Sequence, residues 1–162
     1  MLVTDGSGHV DGDGGYAAHL IWTSRGEPGQ AMGCATCTSV YRMEFTALLE
    51  GLTLLAHRHD LWSGRTQDAH RLRPLRVWWV GDNESLVNSV KRGPNGQPIY
   101  SRDSAPDLWG RFEFFERYMH VEAHHSGREA AIMKSVDWYA STLRVVIKNA
   151  REMYPWQEHR HA

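Results

Sequence analysis

Val3-Thr4-Asp5-Gly6-Ser7-Gly8, followed closely by Gly14-Gly15-Tyr16-Ala17-Ala18, is the stretch on which the fold turns. A short apolar start reaches an aspartate, a glycine-rich turn follows, and a second apolar run ends near Trp22. The pattern predicts a strand over residues 1–5 that delivers a carboxylate to its end, then a hairpin return over 15–24. Taken alone, Asp5 beside Gly6 is a commoner feature of turns than of metal sites. Its meaning depends on whether the rest of the chain brings further acids to the same point.

Outward from the hairpin, residues 25–29 have the composition of a turn, and a third strand over 30–38 completes an antiparallel meander. From Val40 to His59 the period changes to that of a helix. Met43, Leu48, Leu52 and Leu55, with Phe45, Leu49 and Ala56, form a wide apolar stripe, and Ser39 suits the N-cap. Residues 60–74 read as an irregular polar connection. Leu75 to Val80 is a compact buried strand whose two tryptophans, Trp78 and Trp79, are expected in the core. Asp82-Asn83-Glu84-Ser85 then suits a helix start, with the helix over 84–92. A loop lasts to Ala105, Pro106 opens a helix through Phe115, and a short strand over 118–123 runs into His124-His125-Ser126-Gly127. The last helix spans 129–150, and 151–162 reads as a tail. The order βββ-α-β-α-α-β-α predicts a single α/β domain over 1–150. Its five-stranded mixed sheet joins a three-strand meander to two parallel strands reached by helical crossovers.

Composition limits the function classes. The chain has 162 residues, 41% hydrophobic and 23% charged, enough for one domain with a core. A net charge of −1 gives no global basic field, so any contact with nucleic acid must be local. No apolar run approaches the length of a membrane span. Two cysteines, with no leader before the first strand, make a reducing cytoplasmic setting the expectation. Cys34 and Cys37 have zinc-like spacing without a second pair and read as structural. Asp11-Gly12-Asp13-Gly14 lacks the further acids of a calcium loop and reads as a hairpin turn.

Acids recur at element ends. Asp5 ends the first strand and Asp82 the fourth; as parallel neighbours they emerge at one carboxyl edge of the sheet. Glu44 sits in the first turn of the long helix, and Asp137 about two turns into the last. Carboxylates within about 4 Å of each other repel by roughly 4 kcal/mol per pair at an effective dielectric near 20. Such a cluster therefore predicts raised pKa values or bound hard cations, and oxygen-only ligands select Mg2+ or Mn2+. Two such ions side by side suit in-line phosphoryl displacement.

Over residues 1–145 the chain resembles type 1 ribonuclease H and the related retroviral domain. Thr4-Asp5-Gly6-Ser7 with Gly14-Gly15-Tyr16-Ala17 is similar to the family's opening strand and hairpin. Arg42-Met43-Glu44 resembles its helix start, and Asp82 after an apolar strand its third acid. Asp107-Leu108-Trp109 resembles the segment before the fifth strand, and His124-His125-Ser126-Gly127 the histidine loop, with Asp137 in the place of the fourth acid. The resemblance implies the ribonuclease H-like fold and hydrolysis of the RNA strand of RNA–DNA hybrids with two Mg2+ ions, leaving 5′-phosphate and 3′-hydroxyl ends. It implies Asp5, Glu44, Asp82 and Asp137 as metal ligands and His125 as an assistant to proton transfer or product release. The expected substrate-side residues are Gly6, Ser7, Gly8, Arg42, Asn83 and Trp109, with the glycines letting backbone approach a nucleic-acid strand.

The chain departs from the family pattern in several places. Tyr41 stands where the family has asparagine, and Asp82-Asn83-Glu84 replaces Asp-Ser-Gln. The spacing from His125 to Asp137 is two residues longer, and Met133-Lys134 replaces Asn-Glu. Between Asp82 and Trp109 the basic residues are Lys91, Arg92 and Arg102, so a protein partner could be needed to aid substrate grip. A monomer is the expected state. Two alternatives stay open: a DNA-directed nuclease such as a junction resolvase, and a catalytically weak domain that binds hybrids or a partner.

Overall fold

The computed structural model describes residues 1–9, 12–21 and 28–153. Most of the turn expected at 25–29, residue 11 of the Asp-Gly repeat and most of the tail lie outside the described residues. Five strands form one sheet: β1 (Leu2–Gly8), β2 (Gly14–Leu20), β3 (Gly29–Ala35), β4 (Leu75–Gly81) and β5 (Met119–His125). Their spatial order is β3-β2-β1-β4-β5. β1, β2 and β3 pair antiparallel, whereas β4 is parallel to both β1 and β5. The mixed sheet expected from the element order is the one observed.

The glycine-rich segment after Asp5 does not turn. Gly6, Ser7 and Gly8 continue β1 and pair with Tyr16, Gly15 and Gly14, so Asp5 lies in mid-strand opposite Ala17. β1 therefore runs further into the glycine-rich segment than the apolar pattern alone suggested.

α1 (Val40–Arg58) begins at the expected cap, where the Ser39 hydroxyl accepts from the Arg42 amide at 3.3 Å. Its stripe is buried as predicted, with Phe45, Leu48, Leu49 and Leu52 fully inaccessible. This stripe packs with Leu2, Leu20 and Trp79 from the sheet and with Leu86, Trp109 and Phe112 in one large core. The opposite face carries a smaller cluster, in which Met133, Val136 and Ala140 of α5 (Ala131–Met153) cover Val3, Ala17 and Val80. α3 (Glu84–Val90) is capped by Asn83, whose side chain accepts from the Leu86 amide at 3.0 Å. α4 (Pro106–Glu116) starts on Pro106.

Two expectations are corrected. Residues 60–74 are not irregular throughout: α2 (Gly64–Leu72) forms there, capped by Ser63. It buries no residue, so it carries no apolar stripe to betray it. It is held by polar contacts instead: Tyr118 Oη donates to Gln67 at 3.3 Å, and the Arg71 guanidinium lies over the Tyr118 ring. Trp78 is not core. Strand alternation sends Trp79 inward at 1% exposure and Trp78 outward at 50%, where it stacks on His124 with ring centroids 4.0 Å apart.

Candidate active site

The parallel register of β1 and β4 sets Leu2 against Trp79 and Val3 against Val80. Continued two residues further, it brings Asp5 level with Asp82. A buried hydrogen bond from Trp79 Nε1 to Thr4 Oγ1, 2.8 Å, ties the two strands beside that point. The third acid arrives from α1. A Cβ on Gly6 would stand 2.1 Å from the Glu44 nitrogen and 2.4 Å from the Met43 carbonyl carbon. Only glycine lets the helix backbone lie so close, and the contact sets Glu44 beside Asp5. Gly8 meets Val40 in the same way. These glycines therefore seat a helix on the strand; the close approach they permit is to α1, where the sequence suggested a substrate strand.

Ligand-capable oxygens of Asp5, Glu44 and Asp82 all lie within 4.8 Å of one another. Asp5 is inaccessible and Glu44 is 2% exposed. Both carboxylate oxygens of Asp5, and Oδ1 of Asp82, are buried with no hydrogen-bond partner among the described residues. Burial of unsatisfied carboxylates is costly, and it is tolerated where a proton or a cation completes them. Burial, reinforced by Asp82, pushes the Asp5 carboxyl up to about 7; Arg128 opposes the rise and Asp137 adds to it. Glu44 is held well above the usual carboxylate range by its burial, then by Asp5 and Asp82. The donor set is all carboxylate oxygen, which fits a hard divalent cation and no soft metal.

Glu44 is the fifth residue of α1, just past the first turn where the sequence put it. Asp137 comes near without joining the trio. It faces the cluster across Arg128, whose Nε is 3.0 Å from Asp82 Oδ2 and 3.7 Å from Asp137 Oδ1. His125 ends β5 opposite Gly81, and its Nε2 lies 3.0 Å from the Asp82 carbonyl oxygen. A carbonyl can only accept, so this ring nitrogen carries a proton. The Ser126 amide donates to the Gly81 carbonyl at 3.0 Å, which fixes the loop carrying Arg128 over Asp82.

Arg128 is the site residue that sequence reasoning missed. The available signal was modest: a single arginine directly after the histidine loop, between two suspected site residues. The expected substrate-side residues fare unevenly. Ser7 is 8% exposed, and Asn83 spends its carbonyl oxygen on the α3 cap. Arg42 forks onto Asp107, with Nη1 3.0 Å from Oδ1, and clips the start of α1 to α4. Trp109 is not available to a substrate. It is 3% exposed, its ring lies against Phe45, and Arg102 sits 4.4 Å over its face. Of the basic residues between Asp82 and Trp109, Arg92 and Arg102 both pair with Glu116. The cysteines Cys34 and Cys37 are free and exposed.

The chain matches no family model and no curated protein. Solved structures do match across nearly its full length. LC11-RNase H1 in complex with an RNA/DNA hybrid is 16% identical with a TM-score of 0.66, over 90% of this chain and 96% of that one. The N-terminal RNase H domain of a Mycobacterium tuberculosis protein, solved as a fusion with maltose-binding protein, is 15% identical with a TM-score of 0.64, over 92% and 96%. RNase H1 from the archaeon Halobacterium salinarum is 16% identical with a TM-score of 0.60, over 88% and 94%. The fold is thus the ribonuclease H fold.

Proposed function

We propose that this protein is a divalent-cation-dependent endonuclease that hydrolyses the RNA strand of RNA–DNA hybrids, leaving 5′-phosphate and 3′-hydroxyl ends. One observation carries the reading: on a ribonuclease H fold, three elements far apart in sequence deliver Asp5, Glu44 and Asp82 to one buried point, within 4.8 Å of each other. The similarity of the fold to a domain solved with an RNA/DNA hybrid supports the choice of substrate.

Asp5, Glu44 and Asp82 would hold Mg2+ or Mn2+, with Asp137 on the outer side. When bound, such cations supply charge neutralisation at the phosphate and a more acidic water. The chain's own contribution is positional. Asp5 cannot rotate away, being walled in by sheet and helices, and its oxygens remain unsatisfied until a cation or proton arrives. His125, exposed at the rim and hydrogen-bonded to the Asp82 carbonyl, would assist proton transfer or product release. Arg92 and Arg102 are engaged by Glu116, so of the three basic residues between Asp82 and Trp109 these two would contribute less to gripping the hybrid, and a protein partner would aid that grip.

A second reading, DNA-directed cleavage, is favoured by Asn83. Its carbonyl oxygen is committed to a helix cap, which leaves fewer groups to read a 2′-hydroxyl. A labelled panel separates the two: RNA–DNA hybrid, duplex DNA, a four-way junction and double-stranded RNA, each with Mg2+ and with EDTA. The expected result is cutting of the RNA strand of the hybrid in Mg2+ alone. Asp82→Asn should lower it by at least about 100-fold, the upper end of what losing an outer-shell partner costs a metal site. Cleavage of the junction only would favour the second reading, and hybrid binding without cleavage would remove the enzymatic one.

A further inference from the structure

Arg128 lies where a cation would be wanted. It leaves the turn between β5 and α5, and its side chain is 55% exposed, so only the inner part of the guanidinium is engaged. That part faces Asp82 Oδ2 at 3.0 Å and Asp137 Oδ1 at 3.7 Å, with the Asp82 side chain 9% exposed and that of Asp137 34%. The buried Asp5 oxygens and Asp82 Oδ1 have no such partner among the described residues. The cluster therefore has two unlike sides: an inner one, walled by Asp5, Glu44 and Asp82, and an outer one bridged by an arginine.

A guanidinium and a hard divalent cation compete for the same carboxylate oxygens. The first offers one delocalised charge on a flexible stem; the second offers two charges and needs the oxygens at about 2.0–2.6 Å. We infer that Arg128 is an internal counter-ion that competes with a divalent cation for Asp82 and Asp137. The outer side then loads only when its guanidinium swings outward, while the inner side loads first. Arg128 is a positioning residue in this scheme: in the metal-free protein it holds the loop after β5 to α5 and screens the acids from one another. The inference rests on the reading of the acid trio as a divalent-cation centre.

The test is calorimetric titration of the full chain with Mn2+, for the wild type, Arg128→Gln, Arg128→Lys and Asp5→Asn, with melting temperatures measured in EDTA and in saturating Mn2+. The wild type should show a tighter and a weaker class of binding. Arg128→Gln should tighten the weaker class by about tenfold, as expected for release of a half-exposed charge-assisted hydrogen bond, and Arg128→Lys should fall between. Arg128→Gln should also melt lower than the wild type in EDTA, with the gap narrowing in Mn2+; a merely structural arginine would lower both equally. Unchanged or weaker Mn2+ binding by Arg128→Gln, alongside loss of binding in Asp5→Asn, would overturn the role of Arg128 and leave the metal centre standing. No Mn2+ binding by the wild type would overturn both.

Discussion

At the scale of single residues, Asp5 is the group whose surroundings decide most. It is buried in mid-strand with both oxygens unsatisfied, and its carboxyl is raised to about 7. Between the ordinary carboxylate range and pH 7, the folded protein keeps a proton that the unfolded chain has released. The Asp5 contribution to the stability of the metal-free protein therefore falls as pH rises from about 4 to about 7, then levels off. At roughly 1.4 kcal/mol per unit, the loss is at most about 4 kcal/mol. Glu44, also raised, acts in the same direction. Urea unfolding in EDTA from pH 4 to 9 checks this. Asp5→Asn should flatten most of the slope and be the more stable protein at pH 8, while losing hybrid cleavage. A slope unchanged by the substitution would place the pH dependence elsewhere. Asp5 was legible in the sequence as an acid at a strand, but not as buried, because burial depends on which helices cover it.

At the scale of elements, the decisive contact is α1 on β1. Phe45, Leu48, Leu49 and Leu52 drive the helix onto the sheet, and Gly6 sets how near it can come. Gly6→Ala puts a methyl group into the helix backbone at the Glu44 nitrogen. It should cost about 1–3 kcal/mol or more through overpacking. Because the displacement moves Glu44 from Asp5, it should also weaken Mn2+ binding, whereas Ser63→Ala at the far α2 cap should cost about 1 kcal/mol and leave Mn2+ binding unchanged. Chemical denaturation paired with metal titration distinguishes the two. The helices with apolar stripes, α1 and α5, were readable from periodicity. α2 was not, since its residues are all partly or fully exposed and its attachments include a tyrosine–glutamine hydrogen bond and a cation over a ring.

At the scale of the whole molecule, strand order brings three scattered acids, Asp5, Glu44 and Asp82, to one point. The β3-β2-β1-β4-β5 arrangement places the carboxyl end of β4 beside the middle of β1, and the two cores on either face fix α1 and α5 against it. The sequence carried this order only through the resemblance of its motifs, because alternation and spacing do not say which strands are neighbours. The Val77-Trp78-Trp79-Val80 run read as buried on both sides for the same reason. α5 packs against β1, β2 and β3, and Trp78 is left outside the cluster it covers. Arg128 stayed hidden because a lone arginine in a loop has no signature until the loop is seen folded over Asp82. Mass action adds a prediction at this scale. Mn2+ at about 100 times its dissociation constant should stabilise the native state by about 2.7 kcal/mol, read as a higher melting temperature that Asp82→Asn removes.

Asp5, Glu44 and Asp82 are proposed together to hold a divalent cation. Anomalous diffraction from crystals soaked in millimolar Mn2+ tests it directly. The prediction is a peak in bonding contact with carboxylate oxygens of all three residues. Well-ordered carboxylates with no peak between them would contradict it.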